Sequence, residues 1–480
     1  MSDAYFKTRS EILILPMRTI KVHELSAVLK PQEEAAFREF LLSPFYNTNS
    51  RVSALFELLC DPEKSVLVGD KKSLYKKLFP GKRYDDKQLR YLFSYLSGHL
   101  EKFLALRELE NNPQQYLLLL RRSLAERHAT KAHSFARFRF QQLDKLESVP
   151  YYMYQYQSAE LDHKYSATRV RQADYLSILS HLDHFYFLRK LQLQCELINL
   201  RNVFNTETNM FLINDICQLI VQNHFFKSPL IEVYYGILMM LTHPEKESES
   251  HFQRVVQLIH ESNTKFPIDD LNNTYQYVKN FCIRMINKGN DGYRKVLFDI
   301  YKTILRNRRM MKKGEFSPWE YKNIVTLGLR LQEEKWIQEF IHKYLNYLPT
   351  EERANAFTYN SAMLCYYQKN FRQTLKLLQA VEFTDLYYQL DARSILLKVY
   401  FETDDTETLL HHISAFKIFI RRNKLVSDYQ KEIYLNFIRY ALKIFRAGNN
   451  LKKLSVVKNE ILSQQNISDK NWLLEQIVLP

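Results

Sequence analysis

Glu160-Leu161-Asp162-His163 sets a carboxylate and an imidazole three positions apart, on one face of a helix. His181-Leu182-Asp183-His184 carries the same residue types on the following segment. In di-iron bundles a Glu-x-x-His contributes two ligands, and the centre also needs a partner Glu-x-x-His and two further glutamates on other helices. Residues 160-196 do not contain that set, so a metal-dependent enzyme built there is the weakest of three readings. His411-His412 are adjacent, hence about 100° apart around a helix, and cannot act as a ligand pair. No H-E-x-x-H, G-x-S-x-G or kinase pattern occurs, nor either glycine-rich phosphate loop. The chain is therefore read as a non-enzyme, with no catalytic, cofactor-binding or metal residue assigned and no cofactor.

Cationic clusters offer a different chemistry. Eight Lys and Arg lie between Lys71 and Arg90, on either side of Pro80-Gly81. Of these, Lys72, Lys76, Lys77, Lys82 and Arg83 are candidate polyanion contacts. A second group, Arg306, Arg308 and Arg309, follows a helical segment with Lys312 and Lys313. A short helix, a turn and a longer helix around Pro80 have the outline of a helix-turn-helix. Asp85-Asp86, however, stand at the start of the second helix, where phosphates would be repelled. Cations at a helix C-terminus also stabilise the helix by themselves. The net charge of +15 makes polyanion binding easier without specifying it.

The elements that must position these residues are helices. Only 9 of 480 residues are Gly and 13 are Pro, far too few for a sheet protein rich in hairpins, while 46% are hydrophobic and 14% aromatic. Prolines fall where helices should start or stop, as in Asn112-Pro113, Ser228-Pro229 and Ser317-Pro318. The fold class is all-α. Residues 1-16 read as a disordered leader and 17-110 as a helical head. Residues 111-227 form a middle region of long helices, in which 172-203, apolar on more than one face, should be a buried spine. Residues 228-480 then read as paired helices closed by a terminal capping helix.

Cys60, Cys195, Cys217, Cys282 and Cys365 are scattered through apolar helical positions, which suits reduced core thiols and a cytoplasmic protein. No apolar run approaches the ~20 residues of a membrane span.

The C-terminal part repeats itself. Polar turns at Gln332-Glu333-Glu334-Lys335, Gln368-Lys369-Asn370 and Glu402-Thr403-Asp404-Asp405 separate amphipathic segments, and Trp336, Phe371 and Thr406 stand 35 residues apart. Leu327-Gly328 and Ala362 place small residues inside two of those segments. With this period, these turns and these small residues, Ser317 to Arg422 resembles the tetratricopeptide family. Helix pairing alone extends the likeness over 229-463. The stretch from Val381-Glu382-Phe383-Thr384-Asp385 to Asp391-Ala392-Arg393 is also similar to uncharacterised helical-repeat proteins of Bacteroidetes bacteria, which implies no activity. The tetratricopeptide resemblance implies an α-α solenoid whose surface binds a protein or peptide. Tyr366, Tyr367, Phe371, Tyr387, Tyr388, Tyr400 and Phe401 would pack between repeats or line that surface. The leading expectation is thus an interaction scaffold or adaptor, and the alternative a nucleic-acid-associated regulator acting through the basic head.

Overall fold

The computed structural model describes residues 17–61, 70–143, 145–165, 172–204, 212–222, 228–381, 386–464 and 466–477. The expected leader at 1–16 and residues 382–385 lie outside that set, as does the side chain of Tyr387. The protein is all-α, with no strand among the described residues. No described helix is long and apolar enough to cross a membrane. The chain divides into two compact units, Met1–Ile231 and Glu232–Pro480.

In the first unit, α1 (Met17–Ala27), α2 (Pro31–Leu42), α3 (Ser50–Cys60), α4 (Lys71–Leu78) and α5 (Asp86–Asn111) enclose one core. Local chemistry sets their starts. Pro31 stands in the first turn of α2, and the Asn49, Asp70 and Asp85 side chains accept the backbone N–H groups of Arg51, Lys72 and Lys87. Leu89, Leu92, Phe93, Leu96, Leu100 and Phe103 form a stripe on α5. Helices α1, α2 and α3 pack along α5, completely burying Phe37, Val52, Leu55 and Phe56.

Next come α6 (Pro113–Glu126), α7 (Thr130–Gln141) and α8 (Val149–Tyr165), which pack together around Leu117, Phe140 and Leu161. Then follow α9 (Gln172–Phe204) and α10 (Ile213–Gln222). The expectation of a buried spine at 172-203 is corrected by α9. It packs against α8 and α10, which bury Leu188, Leu191 and Cys195. Its other face stays open, with Leu176 61% and Leu179 53% exposed. Apolar residues on two faces of a helix require two neighbours, and α8 and α10 cover one side.

The second unit is an unbroken run of packed helices. After α11 (Pro229–Thr242), which crosses the unit boundary, come α12 (Glu245–Ser262), α13 (Ile268–Asn287) and α14 (Gly292–Arg306). Next come α15 (Pro318–Arg330), α16 (Glu334–Lys343), α17 (Arg353–Tyr367), α18 (Phe371–Gln379), α19 (Leu386–Glu402) and α20 (Thr406–Arg422). The run continues into α21 (Asp428–Ala447), α22 (Leu451–Ser463) and α23 (Lys470–Glu475). From α12 onward each helix packs on the next, and α15 meets α17, α17 meets α19, and α21 meets α23.

The three polar turns share one backbone geometry. Gln332, Lys369 and Asp404 have φ of 60°, 58° and 55°. The following N–H reaches back five residues in each: Glu333 to Gly328 at 2.9 Å, Asn370 to Cys365 at 2.9 Å and Asp405 to Tyr400 at 3.1 Å. These bonds satisfy helix-end carbonyls and reverse the chain.

Gly328 lets α16 approach α15. A Cβ there would lie 2.4 Å from Ile337 Cδ1, 2.7 Å from Ile337 Cγ1 and 2.9 Å from Phe298 Cε2, and neither neighbour has room to retreat because both side chains are fully buried. We expect Gly328→Ala to destabilise the protein by about 1–3 kcal/mol through overpacking, despite the better helix propensity of Ala. Thermal denaturation checks this; an unchanged or raised Tm would refute the close-approach role.

Candidate functional site

Interior charge concentrates on one face of the second unit, shared by α15, α17, α19 and α21. On α17 and α19 the residues concerned recur every seven positions, Tyr359 and Tyr366 on one, Asp391 and Lys398 on the other, so each pair projects from one side of its helix. Lys322 of α15 is only 8% exposed. Its ammonium lies 4.9 Å from the centre of the Tyr388 ring, 5.0 Å from Trp319 and 5.8 Å from Tyr359, and pairs with Asp391. The second Asp391 oxygen accepts the Tyr434 hydroxyl of α21 at 3.1 Å.

Lys398 is the counterpart one side of the face away. It is equally buried, 2.6 Å from Asp469, with the Trp472, Tyr366 and Phe437 rings 5.7–5.9 Å from its ammonium. Asp469 and Trp472 come from α23 and the residue before it. Asp469 also receives the Arg330 guanidinium at 3.2 Å, and the Trp472 indole N–H donates to Glu402 at 2.8 Å. Glu402 accepts the Tyr366 hydroxyl at 2.5 Å as well and pairs with Lys369. The C-terminal segment is thus pinned to α15 and α19 by ionic and indole contacts.

Burial would raise the Asp469 carboxyl, but Lys398 and Arg330 more than offset it, so it lies below the ordinary carboxylate range. Glu402 follows the same logic: burial raises it, and hydrogen bonds from Lys369, Tyr366 and Trp472 bring it below its usual value. Burial pushes the Tyr359 and Tyr366 hydroxyls up, with Glu402 adding to the shift at Tyr366, so both remain protonated and Tyr366 stays the donor to Glu402. The arrangement holds fixed charges in place.

The sequence-predicted cations are placed differently from one another. Lys72, Lys76, Lys77, Lys82 and Arg83 are exposed, and none enters an ion pair among the described residues. Lys71 and Arg90 from the same cluster are engaged by Asp86 at 3.5 and 3.0 Å, while Asp85 caps α5. Lys77 borders an open cleft of about 580 Å³ whose walls include Glu57 and Asp61 as well as Arg38. Arg306 and Arg308 are exposed, whereas Arg309 donates to the Asn263 and Phe266 carbonyls, both at 2.8 Å, and so holds the loop after α12.

The Glu160 to His163 residues have structural partners. Glu160 accepts the Tyr156 hydroxyl at 2.6 Å, and the His163 ring packs 4.6 Å from Tyr175. Asp162 is the counter-ion of Arg121, a fully buried guanidinium 2.5 Å away, and also meets Arg137 at 3.1 Å. His184 stacks 5.1 Å from Tyr152. A further Glu-x-x-His, Glu339 to His342, sits on α16, where His342 packs 5.3 Å from Phe357. Among the described residues no three His, Cys, Asp or Glu come together as a metal-ligating group. All five cysteines are thiols, with burial pushing Cys217 up to about 11 and Cys282 up to about 12.

Sequence reasoning named Tyr366 and Tyr388 of this face but not Tyr359, Tyr434 or Trp472, and it gave no site role to Lys322, Arg330, Asp391, Lys398, Glu402 or Asp469. A signal was present in Ile395-Leu396-Leu397-Lys398-Val399-Tyr400, where one lysine interrupts an apolar run. Asp469→Asn leaves Lys398 and Arg330 without their carboxylate. We expect it to cost on the order of 1–3 kcal/mol at pH 7. Because the folded carboxyl lies below its unfolded value of about 4, the wild-type advantage is complete above that pH and fades as pH falls through the folded value. Denaturation of both proteins from pH 7 to pH 2 tests the sign; a difference that widened in acid would contradict it.

No protein-family model matches the chain, and neither does any curated protein or solved structure.

Proposed function

We propose that the protein is an interaction scaffold built on tetratricopeptide-like helix pairs, an α-α solenoid in its second unit, that receives a protein or peptide segment on the face of α15, α17, α19 and α21. One observation carries the reading: this face already binds a polypeptide segment, its own residues 469–472, with an acidic side chain between Lys398 and Arg330 and an indole on Glu402. A partner segment with the same two features, an acidic residue three positions before a tryptophan, would satisfy the same groups. The 35-residue step, the shared turn geometry and the crossing at Gly328 support the tetratricopeptide-like description. Five cysteine thiols support a reducing, cytoplasmic setting.

The test uses full-length protein and a synthetic peptide spanning Asn466 to Ile477. In a variant carrying Asp469→Ala and Trp472→Ala the intramolecular segment is weakened, and we expect it to take up labelled peptide at least tenfold more tightly than wild type. Peptide binding to neither protein, measured by fluorescence anisotropy, would defeat the reading.

A second reading, nucleic-acid association through the head, is favoured by the exposure of Lys72, Lys76, Lys77, Lys82 and Arg83 together on and just after α4. Here we expect affinity for a 30-nucleotide RNA or DNA to fall at least tenfold between 50 and 200 mM salt. It should be lost on Lys76→Glu, Lys77→Glu, Lys82→Glu and Arg83→Glu combined. No binding at 50 mM salt would dispose of it.

A further inference from the structure

The open face of α9 has an order of its own. Tyr175, Leu179, Leu182, Tyr186, Leu193 and Leu200 are all 37–53% exposed. They follow one another at steps of four, three, four, seven and seven, and the two positions that the steps of seven pass over, three after Tyr186 and three after Leu193, hold Arg189 and Glu196, both exposed. That is a period of 3.5 residues sustained over about seven turns, or roughly 38 Å of helix. A period of 3.5 is the signature of a seam between two helices that stay in contact along their length. On α9 the opposite face, with Leu188, Leu191 and Cys195, already serves the core of the unit. Apart from Tyr175, whose ring also packs on His163 of α8, the seam is additional to what folding uses, and a stripe of large apolar side chains left in water marks an interaction surface.

We propose that α9 pairs with α9 of a second copy of this chain, antiparallel, and that the protein is a dimer through this helix. The residues flanking the seam choose both partner and direction. Leu176, Asp183, Lys190 and Leu197 lie along one edge at steps of seven. Read backwards, the order is apolar, basic, acidic, apolar. Laid against itself head to tail, the edge brings leucine to leucine and each aspartate to a lysine, twice over by the two-fold axis. Asp183 and Lys190 enter no ion pair among the described residues. In the same register Leu182 faces Leu193, Tyr175 faces Leu200, Leu179 meets the stem of Glu196, and Arg189 meets the ring of Tyr186, a cation-π pairing made twice at the centre of the seam. A parallel pair would instead put Arg189 level with Arg189 and deny Asp183 and Lys190 each other.

Light scattering on the eluting full-length protein at micromolar concentration tests the assembly. The expected mass is twice the 57.6 kDa of one chain. The double variant Leu182→Glu with Leu193→Glu changes exposed positions only and should run as a monomer with unaltered circular dichroism. Asp183→Lys alone and Lys190→Asp alone should each weaken the dimer at least tenfold, while the two combined restore it, because the reversed edge is again complementary. For direction, Leu176→Cys protein mixed with Leu197→Cys protein should form an intermolecular disulfide that neither forms alone. A wild-type monomer at 100 µM, or a dimer that persists in the double glutamate variant, would overturn the proposal. A dimer in which Leu176→Cys crosslinks to itself would overturn the antiparallel arrangement.

Discussion

A buried ammonium that keeps its charge must have a carboxylate beside it, and the second unit depends on meeting that requirement twice. Lys322 and Lys398 stand inside the second unit, each within reach of three aromatic rings and one carboxylate. The rings lower the cost of desolvation by presenting their negative faces, and the carboxylate supplies most of the remaining compensation. Neither partner is local. Asp391 lies 69 residues beyond Lys322, and its other oxygen is held by Tyr434. The charge requirement therefore fixes α15, α19 and α21 relative to one another more specifically than leucine packing could, because an apolar core tolerates small sliding and an ion pair in low dielectric does not.

The first unit meets the same constraint at smaller scale. Arg121 is wholly buried among α6, α7 and α8, where Asp162, the Ser158 hydroxyl and the Phe140 ring receive it. A sequence motif with the spacing of a metal ligand set thus contributes its aspartate to a structural ion pair. The charges of the head behave differently: α4 and the turn after it turn their cations outward, Asp85 and Asp86 are engaged in capping α5 or pairing with Lys71 and Arg90, and Glu57 and Asp61 share a cleft with Lys77. Interior charge in this protein organises helices, and surface charge is left for solvent or for a partner.

Much of the fold was legible because helix boundaries are written locally. Pro31, Asn112-Pro113, Ser317-Pro318 and the polar turns at 332, 369 and 404 stop or start helices where the chain places them. Two aromatic residues of the shared face, Tyr366 and Tyr388, were legible as recurring types, too. Its cations and carboxylates were not, since Lys398 in an apolar run has the same local pattern whether its ammonium reaches solvent or an aspartate 71 residues away. The open side of α9 was missed for a related reason: two apolar faces on one helix state that two neighbours are wanted, and nothing in the local pattern says whether both belong to the same fold.

The contact between Arg330 and Asp469 spans 139 residues, while most packing in the second unit joins helices adjacent in the chain. During synthesis, at about 5–20 residues per second, Arg330 precedes Asp469 by roughly 7–28 s. Over that interval α15 to α20 can assemble from neighbouring contacts, but Lys398 still lacks its carboxylate and Glu402 its indole. From the end of α21 at Ala447 to Asp469 is a further 22 residues, about 1–4 s, and in that window the shared face can be complete and vacant, so that a chaperone or partner acting on the ribosome would meet a surface that the finished molecule keeps covered.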